Sequence, residues 1–490
     1  MPFRAYDQHK RFLLPPSLDE WIEKEHPARI LSELVDRLEV SCLRVPKETG
    51  RPAYHPGMLL KVLLWGYATG VRASRKIEEK LHSDIVFMWL AGMEKPNFRT
   101  ICLFRRANVG AIEDLFVQVV KVAREAGMGR LGVVAIDGMK MGAHAGYGSF
   151  KGEEEWRKEV KKLKERVREI LAEAEAEDRA DDERYGSDKR GDELPPGLRD
   201  AKERIRKIEE AMKRVKERGD EGVKVSMTDE DARLMHRKCG VVPAYNAQAA
   251  VTEDQIIVYA EVTREPVDVN QLLPGLDGIE ERCGEMPEKV VADAGYGGGE
   301  NLRGLEERGV DGYIPETEER NIGRKKVRNP GLYKKEAFAY DEEKDCYQCP
   351  AGEVLTRRST QQRETKYSKR KVIVYRAERG VCLKCKKKAE CTKTEGELGR
   401  AVSRDGYERE RGRMREKLKT VIGKEVYGRR KCIVEPVFGQ IRVVEGFVQF
   451  LLRGLERVRI EWKWAAIVHN LLKIIRRVQA GEVRLGGVRA

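Results

Sequence analysis

Two short apolar runs rich in β-branched residues each end on an aspartate followed closely by glycine. LGVVAID (131–137) runs into Gly138, and KVVADAGYG (289–297) breaks at Asp293 before Ala294 and Gly295. Runs of this length, closed by turn formers, read as buried strands. They commit the middle of the chain to a sheet. YNAQAAVTEDQIIVYAEVT (245–263) adds two strands with a turn near Thr252 to Asp254, and GYIPE (312–316) adds a short one.

On either side the period is helical, so the fold class is mixed α/β. Residues 17–128 carry apolar residues at helical spacing in MLLKVLLWGYATG, IVFMWLAG and IEDLFVQVVKVAREAGM. Ser74, Ser83 and Asn97 are the expected N-caps, and Gly127 and Gly129 close the segment. Arg99, Arg105 and Arg106 gather in FRTICLFRR. On a short helix they face either DNA or plain solvent. Residues 406–480 read as helical again. VEPVFGQIRVVEGFVQFLLRGLERV and WKWAAIVHNLLKIIRR are both amphipathic, the first with a helix beginning at Val-Glu-Pro.

Two segments interrupt the sheet. In 151–221, Trp156, Val160, Leu163, Val167 and Ile170 step by four and three, as do Leu198, Ala201, Ile205, Ile208, Met212 and Val215. The other residues there are nearly all charged. Two such seams joined by DDERYGSDKRGDELPPG predict an antiparallel coiled-coil hairpin, with arms of roughly 30–40 Å at ~1.5 Å per residue. Residues 318–405 are basic and cysteine-rich, with strand-like pieces such as KVIVYRA.

The formal net charge of +14 and a pI near 9.2 favour a polyanionic partner: nucleic acid or, less often, an anionic membrane surface. No apolar run reaches the ~18 residues of a spanning helix, and the N-terminus lacks a signal-peptide layout. These features predict a cytoplasmic protein whose ten cysteines stay reduced. The seven histidines form no ligand pair, and His469 on an apolar helix reads as a core residue. GYGGGEN (295–301) lacks the Lys-Ser/Thr of a phosphate loop and reads as the turn after Asp293.

Carboxylates at neighbouring strand ends, with one more from a facing helix, are the donor set that Mg²⁺ or Mn²⁺ prefers. Two ions held about 4 Å apart can activate a nucleophile and stabilise the leaving oxygen at a phosphate. A single strand-end Asp is more often a turn former. The joint order of motifs goes further. GRPAYHPGMLLKVLLWGYATGVRASRKIEEKL, WLAGMEKPNFRTICLFRR, AIDGMKM, NAQAAV, VVADAGYGGGENL, YIPE, CPAGEVL, RRKCIVEPVFGQIR and FLLRGLERVRIEWKWAAIVHNLLK follow one another along nearly the whole chain.

In this order the chain resembles the DDE transposases of bacterial insertion sequences. The resemblance implies an RNase H-like catalytic core (129–485) behind a helical DNA-binding domain (1–128), with the coiled-coil hairpin (151–221) and the Cys-rich β-containing segment (318–405) as insertions. It maps the catalytic, metal-binding acids onto Asp137, Asp293 and Glu435, with two Mg²⁺ or Mn²⁺ ions. Asp254 falls in a turn, Asp268 is a weaker fourth candidate, and Glu445 lies further along the helix. Related enzymes carry a Tyr, an Arg and a Lys near the Glu that touch DNA. Here Tyr427 and Arg430 each sit one place too far upstream, Lys431 holds the Arg position and Arg442 replaces the Lys. Arg430, Lys431 and Arg442 thereby join Arg99, Arg105 and Arg106 as expected DNA contacts. The implied partners are double-stranded DNA (terminal inverted repeats and target) and a second copy of the chain, at the nucleoid. Two rival readings are an RNase H-like nuclease without strand transfer and an inactive DNA-binding remnant. The presence of all three acids disfavours the remnant.

Cys346-x2-Cys349, Cys382-x2-Cys385 and Cys391 suit a tetrahedral structural zinc. Five candidates compete for four places, leaving Cys346 or Cys391 spare. The family resemblance is strongest at Cys349, Cys382, Cys385 and Cys391.

Overall fold

A computed structural model describes residues 17–45, 52–185, 196–220, 222–237, 240–316, 332–365, 368–393 and 396–483. The N-terminal part is helical: α1 (Leu18–Trp21), α2 (Pro27–Asp36), α3 (Pro56–Ala68), α4 (Ser74–Ser83), α5 (Ile85–Leu90), α6 (Phe98–Ala107) and α7 (Ala111–Glu125). Prolines open α2 and α3, where a missing N–H costs nothing. Of the three expected caps, Asn97 caps α6 by accepting from the Thr100 N–H at 2.8 Å. Ser74 is already inside α4, and Ser83 ends it. The Asp84 carboxylate caps α5 instead, reaching two N–H groups.

The chain then alternates between strands and helices: β1 (Val133–Gly142), β2 (Phe150–Lys151), α8 (Glu153–Tyr185), α9 (Pro196–Glu217), β3 (Val225–Ser226), β4 (Arg233–Arg237), β5 (Gly240–Thr252), β6 (Ile257–Thr263), α10 (Leu272–Cys283), β7 (Lys289–Ala292), α11 (Gly299–Glu307) and β8 (Asp311–Tyr313). The main sheet runs β4-β5-β1-β7-β8, with β6 also on β5. β1, β7 and β8 are parallel, whereas β5 is antiparallel to β1, β4 and β6. β2 and β3 form a two-stranded ribbon at the base of α8 and α9. These helices lie antiparallel, joined by Arg204–Glu159 (2.6 Å) and Lys164–Glu209 (2.8 Å), with Trp156, Ala201, Ile208 and Ala211 buried. Most of the polar connection expected between them (186–195) lies outside the described residues.

A second, antiparallel sheet of order β13-β12-β11-β10-β9 follows: β9 (Ala339–Asp341), β10 (Cys346–Gln348), β11 (Val354–Thr365), β12 (Ser368–Arg376) and, after α12 (Lys388–Cys391), β13 (Val402–Asp405). It has its own small core of Phe338, Tyr347, Leu355, Tyr375, Ala377 and Val402.

The C-terminal helices are α13 (Glu408–Lys419), α14 (Val421–Gly428), α15 (Arg430–Val443) and α16 (Leu455–Gln479). Two expectations are corrected here. α15 starts before Val-Glu-Pro, so Pro436 lies inside the helix. Proline has no N–H for the carbonyl four residues back. Gln255 Nε2 supplies the missing donor, reaching the Cys432 carbonyl at 2.9 Å. The first amphipathic run also does not continue as helix. α15 stops at Val443, and Gly446 (φ 62°) and Gly454 (φ 83°) bound a connecting loop in which Phe447 and Phe450 are buried. The Glu461 carboxylate accepts from the Leu451 and Leu452 N–H groups, holding that loop.

α16 is the central helix. It packs against α2, α3 and α7 on one side and β6 on the other. One continuous hydrophobic core therefore joins the N-terminal helices to the main sheet. A buried ion pair, Arg72 to Glu461 at 3.2 Å, crosses that junction, and Arg72 also donates to the Gln449 carbonyl at 3.0 Å. Removing either partner would strand a buried charge.

Candidate active site

The register of the main sheet decides where the aspartates fall. Ile136 on β1 pairs with Ala292 on the parallel neighbour β7, so the next residues, Asp137 and Asp293, stand side by side. The N–H of Gly138 braces Asp137 at 2.8 Å, and that of Gly295 braces Asp293 at 2.6 Å. α15 packs over β1 and β5 and brings Glu435 to the same place. One side chain links the group. Arg430, on the first turn of α15, donates to Asp137 Oδ2 at 2.9 Å and to Glu435 Oε1 at 3.1 Å. Arg430 thus ties Asp137 to Glu435, with Asp293 next to Asp137 on the neighbouring strand.

Burial pushes the Asp137 carboxyl up to about 6, and the nearby charges of Asp293 and Asp268 add to this. Arg430 and the Gly138 N–H oppose the shift. Glu435 is half exposed, at 52%.

Asp268 lies in the loop before α10. Its Oδ1 accepts from Lys140 Nζ (3.0 Å), Asn246 Nδ2 (2.7 Å) and Gln248 Nε2 (2.9 Å). Its carboxylate is therefore engaged from three sides. Gly138 makes this approach possible, because a Cβ there would meet Gln248 Nε2 at 2.2 Å and Asp268 Oδ1 at 2.6 Å. The buried Tyr296 hydroxyl donates to Gln248 Oε1. Its phenol is held well above the usual range by burial, with the site carboxylates adding to the effect. Sequence reasoning passed over Asn246, Gln248 and Tyr296. The signal was present in NAQAAV: two amides at alternate positions of an otherwise apolar strand share one face.

The expected DNA contacts divide. Arg99 and Arg106 are exposed on α6, and Lys431 and Arg442 are exposed on α15. Arg105 is corrected, because it is buried. It donates to the Tyr67 hydroxyl (3.2 Å), the Arg72 carbonyl (3.2 Å) and Ser74 Oγ (2.7 Å), and serves the helical core. Arg430 faces the acids instead of open solvent.

Residues 16–107 match the family described as "Transposase domain (DUF772)", and residues 348–475 match the family described as "Transposase DDE domain". These matches place the chain among the insertion-sequence DDE transposases. The second match contains Glu435 and Arg430, while Asp137 and Asp293 precede it. No curated protein and no solved structure matches the chain. A transposase acts on DNA, in keeping with the basic charge. Among the described residues of this transposase, no helix is long and apolar enough to cross a membrane.

Elsewhere in the transposase, Cys349, Cys382, Cys385 and Cys391 line one small cavity of about 30 Å³ in the second sheet's domain. Cys346 is buried on β10 and does not line it. Burial pushes the Cys391 thiol up, and the other three thiols add to the shift. Among the described residues, no three His, Cys, Asp or Glu side chains stand together as a ready-made metal site. Asp254 sits in the β5–β6 turn. Glu445 and His469 are buried and face each other at 3.3 Å.

Asp137 yields a stability prediction. Its folded value near 6 lies above the ordinary 3.8, so the folded state binds the proton more tightly than the unfolded chain. The resulting penalty is absent below about pH 4 and full above about pH 6. Asp137→Asn should therefore stabilise the chelator-treated protein at pH 8 by roughly 1–3 kcal/mol. That gain should fade as pH falls toward 4. Urea unfolding at the two pH values checks it. Destabilisation at pH 8 would show that the ion pair with Arg430 outweighs burial.

Proposed function

We propose that the chain catalyses metal-dependent DNA cleavage and strand transfer at the ends of an insertion sequence, through Asp137, Asp293 and Glu435. What supports this reading is that Asp137 and Asp293 end adjacent parallel strands while Arg430 ties Asp137 to Glu435 on the facing helix. Two acids on neighbouring strands with a glutamate on a covering helix also support an RNase H-like core.

The donor set fits a hard divalent cation. Its ligands are carboxylate oxygens, and a positive group already stands between two of them. Asp137, Asp293 and Glu435 would hold two Mg²⁺ or Mn²⁺ ions. Such a pair, when bound, activates the attacking water or 3′-hydroxyl and stabilises the leaving oxygen. Asp268, held by Lys140, Asn246 and Gln248, keeps the sheet end rigid beneath the site. Lys431, Arg442, Arg99 and Arg106 are the proposed contacts to DNA phosphates, with Arg430 joining them when the carboxylates release it.

Residues 1–128 bind DNA, 129–485 carry the chemistry, and 151–221 and 318–405 are insertions. The antiparallel α8–α9 pair is the coiled-coil arm, with charged outer faces that suit DNA or a second subunit. Both element ends must be held together, so the working form is a homodimer on DNA at the nucleoid. The four cysteines around one cavity support a structural Zn²⁺ held by Cys349, Cys382, Cys385 and Cys391, with Cys346 spare.

Asp137→Asn, Asp293→Asn and Glu435→Gln should each lower cleavage of a DNA carrying the element's ends by more than about 100-fold. DNA affinity should change little, because different side chains make the phosphate contacts and perform the chemistry. A variant that still cleaves near the wild-type rate removes that acid from the site. Products that are cut but never joined to a target favour the nuclease reading.

Elemental analysis should find about one zinc per chain. It should be lost in Cys382→Ser and kept in Cys346→Ser. Zinc-free protein, prepared under reducing conditions without chelator, overturns the zinc assignment.

A further inference from the structure

The second sheet is not fully paired. β10 covers β11 only at residues 354–356, and β13 covers β12 only at residues 372–375. Beyond them the β11–β12 hairpin continues as a ribbon of two strands alone. Its residues 359–364 and 369–371 are exposed. Such a ribbon exposes backbone edges that usually need protection.

The charges on this ribbon are more than protection. Arg363 and Arg370 are directly paired across the two strands. Like charges directly opposite one another in an antiparallel pair repel and destabilise it. A lysine next to an acid would guard an edge without that cost, as Lys369 and Glu364 do at 2.6 Å. Among the described residues Arg363 has no acidic partner. Arg370 reaches Asp405 only at 3.4 Å, and Arg411 already holds that carboxylate through two bonds of 2.7 and 2.8 Å. The pair is therefore a surplus of positive charge on two projecting strands.

Its position gives the surplus a use. Arg363 and Arg370 line an open groove of about 820 Å³. Asp268 and Gly295, the latter two residues beyond Asp293, line the same groove. The main acids of the groove are matched from within: Glu316 by Arg415 at 3.0 Å and Glu408 by Lys335 at 2.6 Å. Arg363 thus brings positive charge without an ion pair to a groove that reaches the candidate active site, and Arg404 on β13 lines the same groove.

We infer that the β11–β12 hairpin is a DNA-binding ribbon whose Arg363 and Arg370 hold phosphates of the duplex beside the catalytic carboxylates. A two-stranded ribbon also has the width that a major groove admits. This rests on the reading of the chain as acting on DNA. The Cys-rich segment then serves as a folded base that aims a basic ribbon along the groove.

The test is binding of the full chain to fluorescent random-sequence duplex DNA across a series of salt concentrations. Each phosphate contact contributes about 0.9 to the slope of log affinity against log salt. The double substitution Arg363→Gln and Arg370→Gln should reduce the slope by roughly 1.8 and weaken low-salt binding by at least about tenfold. Arg363→Lys with Arg370→Lys should retain most of the slope, since the charge remains. Circular dichroism should show the fold unchanged in both, because both side chains are exposed. If wild type binds and the glutamine variant matches it in slope and affinity, the ribbon assignment is overturned while DNA action stands. If wild type itself binds no duplex, the DNA reading falls and takes the ribbon with it.

Discussion

Carboxylates brought together repel one another, and a fold that gathers them must supply positive charge and donors to hold them. Asp137, Asp293, Asp268 and Glu435 meet this condition by two separate means. Arg430 ties Asp137 to Glu435, and thereby β1 to α15. Lys140, Asn246 and Gln248 hold Asp268. Burial above all, with residual repulsion from Asp293 and Asp268 added to it, keeps Asp137 above its ordinary range despite Arg430. Residual repulsion of this kind is what a divalent cation relieves, so an energetic cost to the folded protein becomes affinity for the ion.

Other features follow from placing α15 where Arg430 can reach. Pro436, next to Glu435, breaks a backbone hydrogen bond of that helix, and Gln255 repairs it from the β5–β6 turn. The helix then ends at Val443, so that Phe447 and Phe450 enter the core. Glu461 holds the returning loop and pairs with Arg72 from the N-terminal helices. Helices at the start of the chain and acids in its middle are thereby parts of one packed body, not units joined by a loose linker.

How much of this was legible in the sequence depended on the range of the interaction. Asp137 and Asp293 were legible because a strand end and its turn are local, and the apolar run marks both. The four strand segments and most helices were legible through their periods. The end of α15 was not. VEPVFGQIRVVEGFVQFLL keeps a helical apolar pattern through Gly446, and only contacts with α16 decide that the chain leaves the helix there. Arg105 reads like its neighbours Arg99 and Arg106, and burial against Tyr67 and Ser74 is a tertiary fact. Arg430 reads from the sequence as a phosphate contact, but its link to Asp137 spans distant parts of the chain. Asn246 and Gln248 are legible in principle, because two amides at alternate positions of an apolar strand share one face, but their partner Asp268 lies in a distant loop.

The most direct measurement is anomalous diffraction from crystals of the protein soaked in Mn²⁺. The expected map has manganese between Asp137, Asp293 and Glu435, with the Arg430 guanidinium displaced from the two carboxylates it now bridges. Manganese bound only elsewhere, with Arg430 still spanning Asp137 and Glu435, would contradict the assignment of these acids as the metal-binding centre.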